Sequence, residues 1–69
     1  MVERFQPDEI LREGPAIVKA SGLGRSQRDE LIKQGKFPKP VRLSARRKGW
    51  LASEVAAWQL QRIAERDGS

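Results

Sequence analysis

Apolar positions along this chain fall into short, separated bursts, and their spacing changes from one burst to the next. Residues 1–6 show no periodicity and read as a mobile arm. Ile10 and Leu11, followed by Arg12, make a partly apolar stretch suited to an edge strand. Gly14-Pro15 then marks a helix start, because the N–H that proline lacks would be unpaired in the first turn anyway. The helix runs on through Ala16, Ile17, Val18, Lys19 and Ala20. Gly22 stops it, being the residue type best able to take a left-handed conformation beyond a helix end.

A second helix is expected over 27–34, capped by Ser26 or Gly24 and closed by Gly35, with Leu31 and Ile32 on its apolar side. The connection Gly22-Leu23-Gly24 has the length and glycine content of a helix-turn-helix corner, with Leu23 pointing into the angle between the helices. Phe37-Pro38-Lys39-Pro40 excludes helix, since residues before proline are driven to extended conformations. Val41-Arg42-Leu43 alternates as a half-buried strand does, and Gly49-Trp50-Leu51 is its expected partner across an exposed loop at 44–48. A last helix starts near Ser53, whose hydroxyl suits an N-cap, with Glu54 complementing the helix dipole. Val55 and Trp58 share its inner face, Ile63 flanks that face, and Leu60 lies on the far side with Ala57 and Ala64.

The pattern is that of an α+β fold with about three helices and a small antiparallel hairpin. Its expected core is Ile17, Val18, Leu23, Leu31, Ile32, Phe37, Leu43, Trp50, Val55 and Trp58. Residues 1–9 are assigned to the arm, 10–66 to the folded unit and 67–69 to a tail. Both tryptophans read as core rather than as base-stacking platforms, because a large ring buries the most area in a tiny fold.

A chain of 69 residues holds one domain. At this size only about 60% of the unfolded surface is buried, so the core is marginal. Cys and His are both absent, which removes disulfides and nearly all metal sites. No cofactor is expected, and stabilisation by self-association or a bound partner gains weight. No apolar run approaches the ~20 residues of a membrane span, and the first residues lack a signal-peptide pattern. The expectation is a cytoplasmic protein with neither a membrane nor a small-molecule partner.

Charge distribution sharpens the picture. The net charge is +5, yet residues 31–53 contain no acid and seven bases: Lys33, Lys36, Lys39, Arg42, Arg46, Arg47 and Lys48. Clustering of one sign is the footprint of a polyanion site, and a solvated basic loop is the bland alternative. Catalysis is improbable without His, Cys or a phosphate-binding glycine loop. The serines have turn or helix-end explanations, and Asp29 and Glu30 are adjacent in a helix and so diverge.

For duplex DNA the pattern is suitable. A major groove about 12 Å wide accepts one helix, whose N-terminal residues reach base edges. Here those are Arg25, Ser26, Gln27 and Arg28, with Lys33 further along. Arg46, Arg47 and Lys48 at the hairpin tip suit a phosphate ridge or a narrow minor groove, with Lys36, Lys39 and Arg42 flanking. Asp29 and Glu30 would repel phosphate, accept from a cytosine amino group, or pair along the helix, Asp29 with Lys33; helix-surface pairing is favoured for at least one.

The segments Gly-Leu-Gly-Arg-Ser (22–26), Leu-Ile-Lys-Gln-Gly-Lys-Phe-Pro-Lys-Pro-Val-Arg-Leu (31–43) and Arg-Arg-Lys-Gly-Trp-Leu-Ala-Ser-Glu-Val-Ala-Ala-Trp (46–58) resemble the AlpA family of small phage and mobile-element regulators. The resemblance spans about residues 15–58. It implies a winged helix-turn-helix related to MerR-type DNA-binding domains, with the helix after Leu23 as recognition helix and the loop around Arg46 as wing. Members act as transcription regulators or as excisionases that bend attachment-site DNA and direct a tyrosine recombinase toward excision. Two departures stand out. Gly24 replaces a usual Ser, weakening one cap, and Gln27-Arg28-Asp29-Glu30 stand where members tend to carry Thr-Ile-Tyr-Arg. Arg28 in place of Ile leaves only its aliphatic stem to cover apolar surface.

The expected function is therefore sequence-specific duplex DNA binding as an excisionase, with a tyrosine recombinase as partner and cooperative self-association on DNA. The alternatives are an AlpA-type promoter regulator, or a protein-interaction adaptor using the basic hairpin. RNA binding is a lesser alternative, because surface aromatics are few.

Overall fold

The computed structural model describes residues 9–68 and orders them as β1 (Ile10–Arg12), α1 (Pro15–Ser21), α2 (Arg25–Lys33), β2 (Val41–Arg42), β3 (Lys48–Leu51) and α3 (Ala52–Gly68). The three strands make one antiparallel sheet in the order β1-β3-β2. Three helices with this small sheet make an α+β winged helix-turn-helix. Leu11 faces Trp50 across β1–β3, and Arg42 faces Lys48 across β2–β3.

Local chemistry sets the helix ends. Pro15 occupies the first position of α1, and Gly22 ends it at φ 73°, its N–H donating to the Val18 carbonyl at 2.8 Å. The Ser21 hydroxyl adds a bond to the Ile17 carbonyl at 2.7 Å and accepts the Leu23 N–H at 3.1 Å, bracing the corner. Helix α2 closes at Gly35, also at φ 73°, through Gly35 N–H to Ile32 carbonyl and Lys36 N–H to Leu31 carbonyl bonds. It begins earlier than the expected residue 27, with Gly24 rather than Ser26 as N-cap. Helix α3 begins at Ala52, directly from β3, and continues through residues 67–68, which were expected in the tail. Residue 9 is likewise no part of a free arm, since the Glu9 carbonyl accepts the Ala52 N–H at 2.8 Å. The remainder of the expected arm, 1–8, and Ser69 lie outside the described residues.

The core is Ile17, Phe37, Trp50 and Val55, with Leu11, Ala20, Leu31, Ile32 and Trp58 packed around it. Phe37 meets Trp50 and Trp58 edge-on, at centroid separations of 6.3 and 4.9 Å, and Trp50 Nε1 donates to the Pro38 carbonyl at 2.9 Å. This ties the extended 37–40 segment to the sheet. Leu23 is half-buried in the corner between α1 and α2.

Two expected core residues face outward. Val18 follows Ile17 on a seven-residue helix whose inner side holds Ile17, and a step of ~100° turns it to solvent. Leu43 has left the strand after Arg42, where its N–H closes the loop on the Arg47 carbonyl at 2.8 Å, and its side chain lies beside Gly49 but stays exposed.

Candidate nucleic-acid interface

Helix α2 is the second helix of the corner and nine residues long, and an α-helix about 10–12 Å across with its side chains matches a major groove of about 12 Å width. Arg25, Ser26 and Gln27 form its exposed first turn, and Lys33 is exposed at its other end. Gly24 supplies no side-chain cap to this turn; the Gln27 Oε1 instead accepts the Gly24 N–H at 3.4 Å.

Arg28, expected at the DNA surface, is turned inward. It is 1% exposed, its guanidinium lies 5.2 Å from the Trp50 ring centroid, and Nη2 donates to Glu13 Oε2 at 2.7 Å. Position 28 precedes Leu31 and Ile32 by three and four residues, so it shares their inward face. That spacing was the available signal, and the charge of the residue obscured it. Asp29 pairs with Arg25 at 3.9 Å rather than with Lys33, and Glu30 accepts from Gln34 Nε2 at 3.0 Å. Both acids thus have helix-surface partners.

The wing is the loop between β2 and β3. Its turn is held by the Leu43 and Ser44 N–H groups on the Arg47 carbonyl and by the Arg46 N–H on the Ser44 hydroxyl. Arg42 Nη1 donates to the Ala45 carbonyl at 3.3 Å. Lys48 lays its ammonium 5.8 Å from the Trp50 centroid.

Wing and α2 face each other across a groove of about 490 Å³ lined by Arg25, Arg42, Arg46, Arg47 and Lys48, together with Arg12 and Glu13 of the β1 end. Five expected contacts therefore converge on one place, and Arg12 joins them without having been singled out by the sequence pattern. Lys36 and Lys39 lie elsewhere, on a wider groove beside α3 where Arg62, Glu54 and Glu65 mix both signs of charge. Ser26, Gln27 and Lys33 are exposed outside both grooves.

The family model for the prophage CP4-57 regulatory protein (AlpA) matches residues 9–63, which takes in every element from β1 into α3. The chain belongs to the AlpA family. An uncharacterized protein, ORF88, of Enterobacteria phage P4 is 46% identical to it over 52 residues, or 75% of this chain. The chain spans 59% of that relative's length. No solved structure matches it. Within this AlpA-family chain the two departures noted in sequence have structural counterparts: the uncapped Gly24, and an Arg28 whose stem and guanidinium fill an inward position. Among the described residues no helix is long and apolar enough to cross a membrane.

Proposed function

We propose that this AlpA-family chain is a sequence-specific duplex DNA-binding protein that seats α2 in the major groove and lays the wing on the adjacent backbone. The observation that carries this reading is the convergence of Arg25 with Arg42, Arg46, Arg47 and Lys48 on one groove between recognition helix and wing. Arg25, Ser26 and Gln27 read base edges, Arg able to bind guanine and Gln adenine with two hydrogen bonds each. The wing cations contact phosphate and carry no sequence information themselves. Residues 10–66 form the binding unit, acting in the bacterial cytoplasm.

The physiological role proposed is that of an excisionase, binding and bending attachment-site DNA of a phage or integrative element so that a tyrosine recombinase excises it. A single module of this kind buries only about 600–1,000 Å² on DNA, which favours several copies side by side. The relative in phage P4 supports a mobile-element setting. Promoter regulation is the second reading, favoured by the regulatory role in the family's description.

A gel-shift titration against DNA from beside the protein's own gene and from the element ends, at two salt concentrations, tests the binding. Discrete shifts that survive competitor DNA are expected; a smear that vanishes with salt would point instead to an acidic protein partner. Excision assays with the matching recombinase then separate the two roles.

A further inference from the structure

We propose that the groove between α2 and the wing holds a backbone phosphate of the bound duplex, and that Arg12 of β1, a residue of neither recognition helix nor wing, is one of its ligands. This rests on the DNA-binding reading above and goes beyond it by naming a third element of contact.

The case begins with an imbalance of charge. Four different elements deliver cations to one groove: Arg12 ends β1, Arg25 begins α2, Arg42 ends β2, and Lys48 begins β3. Arg42 and Lys48 are direct cross-strand partners, an arrangement in which like charges destabilise a sheet. Two further arginines stand on the wing.

Compensation within the chain is slight. Among the described residues Glu13 is the single acid lining the groove, and its carboxylate is already taken by the buried Arg28 at 2.7 Å. The Arg25–Asp29 pair is 3.9 Å long between largely exposed side chains, too weak to neutralise Arg25. The groove thus carries uncompensated positive charge that an anion from outside would relieve.

Its position selects the anion. One wall is the first turn of the helix proposed to enter the major groove, and the opposite wall is the wing proposed to follow the backbone. A phosphate crossing between them meets guanidinium groups, which match its oxygens with paired N–H donors. The first turn of α2 also lacks a side-chain cap, so its N–H groups add to the positive potential there. Arg12 is brought to this place by the β1–β3 ladder, where it pairs with Gly49, and by the Glu13 N–H bonded to the Lys48 carbonyl at 3.3 Å.

The test is fluorescence anisotropy of the full chain on labelled duplexes from beside its own gene and of unrelated sequence, across a salt series. Arg12→Ala is compared with wild type, with Arg12→Lys, and with Arg66→Ala as a control on the exposed end of α3. Loss of one phosphate contact is expected to weaken binding on the order of fivefold, equally for all duplexes, and to lower the salt slope by about one. Arg12→Lys restores most of the slope, and Arg66→Ala leaves it unchanged. The proposal is overturned if Arg12→Ala keeps the wild-type slope, if Arg66→Ala lowers it equally, or if Arg12→Ala reorders the preferred sequences. Failure of the wild-type chain to bind any duplex overturns the DNA-binding reading itself, a result distinct from all three.

Discussion

Arg28 and Glu13 form a buried fork: Nη2 donates to Oε2 at 2.7 Å and Nη1 to Oε1 at 3.5 Å, from an arginine that is 1% exposed. The pair joins the middle of α2 to the turn between β1 and α1, and the same guanidinium covers Trp50. An ionic group thus occupies an inward helix position where an apolar residue would serve, and α2 is anchored through charge as well as burial.

The two partners differ in what their loss leaves behind, so their substitutions should differ in cost. Glu13→Ala strands the Arg28 charge away from water, and a loss of about 3 kcal/mol is expected. Arg28→Met fills the same space with an apolar chain and leaves Glu13, whose side chain is 31% exposed, able to turn to solvent. That change should cost only about 1 kcal/mol. Urea denaturation of both variants checks the order. A larger loss for Arg28→Met would mean that stacking on Trp50 outweighs the ion pair.

The same pair predicts an indirect effect on DNA. Arg28 cannot reach DNA from its buried position, yet it pairs with Glu13, the one acid on the cationic groove among the described residues. Arg28→Met should therefore weaken binding several-fold at low salt by freeing the Glu13 charge, an effect that screening reduces. Adding Glu13→Gln should restore the affinity. If the double variant binds no better than Arg28→Met, then Arg28 contributes to binding in some other way.

At the wing, Arg46→Ala should weaken binding to all duplexes alike and lower the salt slope by about one, whereas Gln27→Ala should change which sequence is preferred. Binding of a panel of duplexes at several salt concentrations distinguishes the two patterns. An unchanged salt slope for Arg46→Ala would remove that residue from the phosphate contacts.

Gly49 sits in the central strand with no room for a side chain. A Cβ there would lie 2.6 Å from Ile10 Cγ2, 3.1 Å from the Leu11 carbonyl oxygen and 3.3 Å from Leu43 Cδ1. Because one of these neighbours is β1 backbone, Gly49→Ala should push β1 away and cost about 1–3 kcal/mol. Thermal unfolding reads the loss. Combining it with Ile10→Ala should recover only part, since the carbonyl contact remains.

Features encoded in the backbone were legible in the sequence. Pro15, Gly22 and Gly35 bound helices because φ restriction or a left-handed turn acts within one or two residues, and strands were expected on either side of the wing loop, although β2 is shorter than expected and exposed at both residues. What depends on distant partners was not legible. Arg28 looked like a surface cation because the Glu13 that draws it inward is fifteen residues away, with a helix between them. Arg12 looked isolated because only the β1–β3 pairing brings it to the wing. Val18 and Leu43 looked buried because hydrophobicity alone does not tell which side of a short element faces the core.

Leu60 bears on the proposed self-association. It is 67% exposed on α3, Ile63 at 46% lies near it, and the neighbouring charges Arg62 and Glu65 are paired with each other at 2.6 Å. Advancing ~100° per residue, Ala56 and Leu60 form a small apolar strip well round the helix from Val55 and Trp58, with Ile63 on the flank between that strip and the inner face. Copies bound side by side on DNA would bring such a strip near a neighbour, where burying one Leu contributes about 1–2 kcal/mol, roughly a tenfold gain in cooperativity. Val2 and Phe5 of the arm, which are apolar candidates for meeting Leu60 of a neighbouring copy, fall outside the described residues. Leu60→Glu should therefore leave the first gel-shifted complex at its wild-type concentration and move the second to about tenfold higher protein. If both complexes still appear together, the neighbouring copies meet through some other surface than α3.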